Sequence, residues 1–398
     1  MTFFPNLRFP GFEGSWECTS LGNCAQSFEY GMNASAIKFD GENRYIRITD
    51  IDESSSKYKP EFPVSPNGQL IDKYLVCEND ILFARTGAST GKSYLYNKDD
   101  GKLYFAGFLI RAKIKAEFNS SFVFMQTKTI QYYKWVQLMS MRSGQPGINS
   151  QEYASYSFNI PSKNEQDKIT SIFILVDERI QTQKKIIEDL QITKKEISIK
   201  LFKEGFDSSE SKIENLQKLG DLTYVVNRKN KENFKLPVYS INNKKGFVSQ
   251  SEQFEGIDSD ERGYDISLYK IIEKETFAYN PARINVGSIG YSGNLENIII
   301  SSLYVCFKTI EIVDDEFLFQ YLRTDIFRKE VLRNVEGGVR DYLFYENFSR
   351  IKINLPDLKE QIKIAKFLSK IDGKINLENK LLTQYENQKK YLLQNLFV

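Results

Sequence analysis

Two long stretches of the chain carry apolar residues at alternating steps of four and three. The first runs Ile169, Phe173, Val176, Ile180, Ile187, Leu190, Ile197 and Leu201, and the second Ile364, Leu368, Ile371, Ile375, Leu382, Tyr385, Leu392 and Leu396. That period is a heptad seam, which buries its face against a partner helix. The polar residues that complete the seams, Gln183 and Lys194 in the first and Glu378 and Lys389 in the second, occupy the same two heptad places. Both stretches open with a proline, then Ser162 or Asp357 three residues before Glu165 or Glu360, the spacing of a reciprocal helix cap. No proline follows within either, and Gly373 alone interrupts. The pattern predicts two long helices that form an intramolecular coiled coil.

The two stretches are copies of one another. Pro161 recurs 195 residues later as Pro356 in a shared Pro-x-x-x-Glu-Gln, and at the same offset Val176-Asp177 returns as Ile371-Asp372, Lys194-Lys195 as Lys389-Lys390 and Leu201-Phe202 as Leu396-Phe397. The segments ahead of them also echo each other but have the shorter rhythm of strands. Tyr45 to Thr49 alternates as a half-buried strand with Val238 to Ile241 as its counterpart. Phe83-Ala84-Arg85 and Phe277-Ala278-Tyr279 each precede a Gly-rich segment, and Phe108 to Lys113 and Leu303 to Lys308 alternate in both halves. Phe122 to Phe124 and Phe317 to Phe319 open a short helix in each half, and loops at Ser143-Gly144 and Gly337-Gly338 lead back to the long helices. The expected architecture is α+β and pseudo-twofold. One β-rich domain (1–160) precedes a long helix (161–208), and a second such domain (209–355) precedes a second long helix (356–398).

Composition narrows the chemistry. The 398 residues suffice for two domains and a coil, and 23 Tyr with 29 Phe favour β-rich domains. A net charge of +2 means that any nucleic-acid binding must come from local patches. The chain contains no His, which removes Ser/His and Cys/His nucleophiles and His-ligated metals together. Cys18, Cys24, Cys77 and Cys306 form no Cys-x-x-Cys pair, and with no basic-then-apolar leader and no long apolar span we expect a cytoplasmic protein with reduced thiols and no membrane contact.

Three motifs invite other readings. Gly87-Ala88-Ser89-Thr90-Gly91-Lys92-Ser93 looks like a phosphate-cradling loop, yet it has three residues between its glycines where that motif needs four, and a strand-like Tyr94 to Asn97 follows instead of a helix. We read a Gly-rich hairpin. Asn280-Pro281-Ala282-Arg283 lacks the second proline and the aromatic of an amino-methyltransferase signature, so it reads as a turn. The paired lysines of the long stretches read as solvated faces. The loop clusters Asn227 to Lys231 and Asn242 to Lys245 differ in mixing cations that can hold phosphates with amides that can read adenine edges.

The polar seam residues predict how the helices pair. Parallel and in register, Lys194 would face Lys389, two like charges in one seam. Antiparallel, Lys194 meets Glu378, Lys389 meets Gln183, Ile187 meets Tyr385 and Val176 meets Leu396. A second antiparallel register, one heptad away, overlaps more helix but sets Lys194 against Ile371 and Gln183 against Leu382, and ranks below the first. The overlap in the favoured register is roughly 40 Å at about 1.5 Å per residue, a little over one DNA turn of about 34 Å.

The opening Leu7-Arg8-Phe9-Pro10-Gly11-Phe12-Glu13-Gly14, Tyr45-Ile46-Arg47-Ile48-Thr49-Asp50-Ile51, the segment Arg85 to Lys92 and the twice-written Pro-x-x-x-Glu-Gln resemble the DNA-specificity subunit of type I restriction-modification enzymes. The resemblance covers essentially the whole chain. It implies a subunit with no catalytic residue, metal or cofactor of its own. Two target-recognition domains each read one half of a bipartite site on double-stranded DNA, and the helices set their separation. It also implies two modification subunits that methylate adenine with S-adenosylmethionine, and restriction subunits that use ATP and Mg. By the same resemblance the first domain offers Arg47, Arg85, Thr86, Ser89, Lys92, Arg142, Ser143 and Gln145 to DNA. Internal alignment adds Arg228, Lys229, Tyr239, Asn242, Lys244, Arg283, Asn285, Ser288 and Arg340 from the second. The competing reading of Arg47 and Arg85 is structural, anchoring a strand or pairing with a carboxylate. Two other functions remain open at this stage: a two-domain coiled-coil scaffold for protein partners, and a stand-alone restriction or methylation enzyme.

Overall fold

The computed structural model describes residues 4–141, 145–204, 215–250, 265–335 and 342–397. The chain divides into two compact units, one of Met1–Gln183 with Leu381–Val398 and one of Lys184–Lys380. The two long helices, Lys163–Glu204 and Leu358–Asn395, each contribute one half to each unit. Among the described residues no helix is long and apolar enough to cross a membrane.

In the first unit, Glu17–Ser20 pairs antiparallel with Ser157–Ile160 and so closes the domain where it begins and ends. Between them lies a four-stranded antiparallel sheet in the order Ala25–Tyr30, Leu109–Ile114, Asp80–Ala84, Ser93–Leu95. A parallel pair joins Asn43–Ile46 to Lys102–Phe105, and a short antiparallel pair joins Ala36–Lys38 to Val64–Pro66. The second unit repeats the plan. Leu216–Lys218 closes on Lys352–Asn354, and a four-stranded sheet runs in the matching order Thr223–Val225, Val305–Thr309, Phe277–Tyr279, Ile289–Tyr291. Beside it is a mixed sheet of Gly246–Ser249, Val238–Asn242, Ile298–Ile300 and Lys270–Ile272. One strand expectation is shortened: Asn43–Ile46 ends where Arg47 caps a 3-10 turn at Ile48–Asp50, and Tyr45 and Ile46 are both buried instead of alternating.

The Pro-x-x-x-Glu-Gln repeat has a physical reason. In the first unit the buried Gln166 accepts the Asn119 backbone N–H at 2.9 Å and donates to the Pro161 carbonyl at 2.9 Å. In the second, Gln361 accepts the Asp314 N–H at 2.8 Å and donates to the carbonyls of Pro356 at 2.9 Å and Ile312 at 3.0 Å. Asn119 and Asp314 in turn cap the short helices Ser120–Gln126 and Asp315–Leu322. Each long helix is thereby fastened to its domain at its first turn. Ser162 and Asp357 accept the N–H of Glu165 and Glu360 as predicted, and in the first helix the Glu165 carboxylate is turned to the guanidinium of Arg8, at 2.9 and 2.8 Å.

The far ends of the helices are held by aromatic packing. In the first unit Phe397 stacks on Phe122 at 5.2 Å and lies 5.9 Å from Phe173. In the second Phe202 lies 5.2 Å from Phe317 and 5.5 Å from Tyr321. Contacts of this kind contribute about 0.5–1.5 kcal/mol beyond their burial. The repeat of Leu-Phe at the end of each stretch therefore plugs one core in each unit.

Within each unit the helix halves run antiparallel, but not in the register that the polar seam residues favoured. Lys389 pairs with Asp177 at 2.5 Å in the first unit and Lys194 with Asp372 at 2.6 Å in the second. Lys194 thus sits beside Ile371, as in the one-heptad-shifted register, while Glu378 pairs with Lys374 on its own helix. The reason is the reach of lysine, whose apolar stem covers the seam while its amine leans out to a flanking carboxylate. The seam itself is Val176, Ile180, Gln183 and Ile187, all buried on the first helix, with Leu190, Lys194 and Ile197 half-buried; on the second, Glu378 is buried and Ile371, Ile375, Leu382, Tyr385, Lys389 and Leu392 are half-buried.

This register is checked by paired cysteines. Lys194→Cys with Ile371→Cys should form a disulfide readily, whereas Lys194→Cys with Glu378→Cys, two helical turns away, should not. The reverse pattern would restore the register that the sequence favoured.

Candidate nucleic-acid interface

The Gly-rich segment of the first unit is a hairpin loop, because Asp80–Ala84 and Ser93–Leu95 pair antiparallel on either side of it. Its turn, Gly87–Ser89, is closed by Thr90 N–H donating to Gly87 O at 3.0 Å, and the Gly91 N–H donates to Ala84 O at 3.1 Å. Gly91 has φ of +91°, and a Cβ there would lie 2.5 Å from Val136, so only glycine fits. Two buried tyrosines hold this residue from behind: Tyr132 donates to Gly91 O at 2.9 Å, and Tyr153 accepts the Gly91 N–H at 3.1 Å while donating to Ala84 O at 2.6 Å. Burial pushes both phenols well above their ordinary pKa, so they stay protonated as donors.

The front of the hairpin meets the loop before Ile148. Thr86 bridges Gly147, Gly87 N–H donates to Pro146 O at 2.9 Å, and Ile148 N–H donates to Arg85 O at 3.0 Å. The structure therefore brings Arg85, Thr86 and Ser89 together with Gln145, whose amide nitrogen is 3.1 Å from where a Cβ on Gly87 would stand. Arg142 and Ser143 lie outside the described residues. Arg85 rests over the ring of Tyr30 at 5.0 Å and forms no ion pair among the described residues, which leaves its guanidinium edge open to an anion. Tyr30 shares hydrogen bonds with Ser150, which lower its pKa. Sequence reasoning did not find Tyr30, because it is far from Arg85 in sequence and only the strand order, with Leu109–Ile114 between their strands, brings the two together.

Other expected contacts are paired with carboxylates of their own domain. Arg47 forms a bidentate pair with Asp50, at 2.9 and 2.8 Å, which raises the arginine's pKa and locks the 3-10 turn. This is the structural reading of that residue. Lys92 pairs with Glu53 at 3.4 Å. The deeper Arg111, bonded to Asp80, Glu29 and the carbonyls of Leu75 and Lys73, is part of the scaffold beneath the hairpin.

In the second unit the turn after Val238–Asn242 lies on the loop Ile284–Gly290: Gly287 faces the Asn243 carbonyl, and a Cβ on Gly290 would touch Phe247 at 3.0 Å. This gathers Tyr239, Asn242, Lys244, Arg283 and Asn285 around one loop pair. Within it the side chain of Asn242 accepts its own turn's N–H groups from Lys244 and Lys245, at 2.9 and 3.2 Å, and Ser288 is buried with its hydroxyl on Ile241 O at 3.0 Å. Both are thus engaged by the fold, whereas Arg283 is exposed. Arg228 pairs with Glu273 at 3.0 Å, and Lys229 forms a backbone bridge with Lys270. Arg340 lies outside the described residues. No group of three Asp, Glu or Cys among the described residues is arranged to hold a metal ion.

A family model described as the type I restriction modification DNA specificity domain matches the chain twice, over residues 16–191 and 210–387. The chain is 26% identical over 394 residues to a putative type I restriction enzyme MjaX specificity subunit of Methanocaldococcus jannaschii, covering 95% of this chain and 92% of that one. It is 25% identical over 425 residues to the MjaVIII specificity subunit of the same organism, covering 99% and 96%. Among solved structures it is similar to the S subunit of a type I restriction-modification system from M. genitalium, with a TM-score of 0.58 at 17% identity, covering 100% of this chain and 99% of that chain. A chain from a structure of type I R-M complex assembly gives a TM-score of 0.57 at 13% identity, covering 97% and 98%.

The two arginines of the first unit should separate by assay. Arg85→Ala should weaken duplex binding about tenfold, the loss of one charged hydrogen bond, and reduce the salt slope by about one, with thermal stability unchanged. Arg47→Ala should lower stability by about 1 kcal/mol, its guanidinium being partly exposed, and leave the salt slope alone. Fluorescence anisotropy across a salt series, beside thermal melts, reads both.

Proposed function

This chain belongs to the type I restriction modification DNA specificity family, and we propose that it is the DNA-reading subunit of a type I restriction-modification complex, each domain recognising one half of a bipartite target. The observation that carries this reading is the complete duplication. Both units present a hairpin or loop pair with an arginine that no carboxylate neutralises among the described residues, and in both a buried glutamine at the start of the long helix ties that helix to the domain through the cap of a short helix.

The chemistry of the loops fits a division between positioning and reading. Arg85 and Arg283 supply cations for phosphates or for the paired acceptors of guanine, and Gln145 and Asn285 supply amides that match adenine. With a net charge of +2 the affinity depends on these local groups, not on the field of the whole molecule. The long helices fix the spacing of the two readers and offer docking faces to partner subunits. In this reading two modification subunits supply adenine methylation with S-adenosylmethionine, restriction subunits supply ATP- and Mg-dependent cleavage, and the assembly works in the cytoplasm. The chain's own part is to bind and to orient.

A domain exchange tests the proposal. The purified chain alone should transfer no methyl group, while the complex reconstituted with a modification subunit should methylate adenines at a bipartite site. Replacing residues 215 to 355 with the equivalent segment of a relative should alter one half of that site, read by sequencing of methylated DNA. Alteration of both halves, or methyl transfer by the chain alone, would overturn it.

A further inference from the structure

The expected strands from Phe108 and from Leu303 begin later than the residue pattern suggested, at Leu109 and Val305. Phe108 and Leu303, which correspond at the 195-residue offset, stand instead in the turn that leads into each strand. Phe108 is 60% exposed and Leu303 78% exposed. Single apolar side chains on solvent are ordinary, and neither would call for a reason by itself. Two features set this pair apart. The same position is apolar and exposed in both copies, and in both copies it lies at the sheet end that carries the arginine-bearing loop.

The strand registers fix that placement. In the first unit Ala84, the residue before Arg85, is paired with Leu109, and the Arg85 backbone N–H donates to Phe108 O at 3.1 Å. The turn is braced on both sides: Leu109 N–H donates to Ala106 O at 2.8 Å and Gly107 N–H to Met32 O at 2.8 Å. In the second unit Tyr279 ends the strand that precedes Arg283 and is paired with Val305, so the turn at 301–304 lies at the edge where that loop begins. Ile300 runs parallel to Tyr239, which brings the turn to the same end of its sheet as the cluster at 242–245. Tyr304 braces it, its hydroxyl accepting the Ile241 N–H at 3.3 Å and its carbonyl the Lys270 amine at 2.6 Å. Each apolar side chain is therefore presented by a supported turn at a recognition edge.

We propose that Phe108 and Leu303 are specificity-determining contacts, each buried against the bases of one half of the duplex target. The inference rests on the DNA-reading function proposed above and adds which part of the duplex these side chains meet. Phosphates reward a cation or a hydrogen-bond donor and offer an apolar side chain nothing, whereas base steps and the thymine methyl group offer it apolar surface. The cations of the same edge hold the duplex in place, and the apolar tip discriminates among the bases it covers.

Binding by the full-length chain reconstituted with modification subunits tests this. The probes are a duplex carrying the target found by sequencing of methylated DNA, the same duplex with either half scrambled, and an unrelated duplex. Phe108→Ala and Leu303→Ala should each weaken the intact target about tenfold, by loss of one buried apolar side chain, and the unrelated duplex by no more than about twofold. A variant should lose nothing further on the duplex whose matching half is already scrambled, and the two variants should couple to opposite halves. Neither should change the dependence of affinity on salt, because an apolar contact neutralises no phosphate. Phe108→Leu, which keeps an apolar tip, should bind within about threefold of wild type. Both positions face solvent, so alanine leaves the fold intact. Wild-type affinity in both alanine variants, an equal loss on unrelated duplex, coupling of both to one half, or a reduced salt slope would each overturn the proposal. In those results a wild-type complex that still discriminates its target leaves the DNA-reading function standing. A wild-type complex that does not distinguish the target from unrelated duplex would overturn both.

Discussion

The fold depends on a pair of buried glutamines. Gln166 and Gln361 each turn an amide toward a backbone N–H 47 residues earlier in the chain and toward the proline carbonyl at the start of the helix. Inside a protein such a donor or acceptor left without a partner costs about 1–3 kcal/mol, so the three groups are mutually dependent. The N–H that each glutamine satisfies belongs to the capping residue of a short helix, Asn119 or Asp314, which in turn packs its first aromatic, Phe122 or Phe317, against the end of a long helix. One side chain thus connects helix start, domain core and helix end in each unit.

That arrangement makes the duplication intelligible as mechanism. A reader of a two-part DNA site needs each recognition surface to be rigid with respect to the helix that carries it, since a loosely attached domain would lose the geometric discrimination that base contacts provide. Around this attachment the two units differ. Arg8 reinforces the first helix start through Glu165, and the loop clusters carry different cations and amides, as expected if scaffold is shared and specificity is not.

Much of this was legible in the residues. The heptads, the 195-residue repeat, the strands before the Gly-rich loops and the hairpin reading of Gly87 to Ser93 all follow from period and turn chemistry. The role of the glutamine was not legible, because its main partner is a backbone group far away in sequence. The register was misjudged for a related reason: Lys194 and Lys389 were matched to polar seam residues, whereas their amines reach Asp372 and Asp177 beside the seam. Among the site residues, Arg47, Asn242 and Ser288 carry the right chemistry for DNA but are bonded to their own fold, and only contacts separate them from Arg85.

Residue-resolved hydrogen exchange on Gln361→Met tests the clamp most directly. The substitution keeps the volume and removes the hydrogen bonds, and opening of the second unit should become easier by about 2 kcal/mol, roughly thirtyfold faster exchange at Asp314 and its helix, with the amides of the first unit unchanged. Unchanged exchange at Asp314, or an equal rise in both units, would contradict the view that one buried glutamine fastens each domain to its helix.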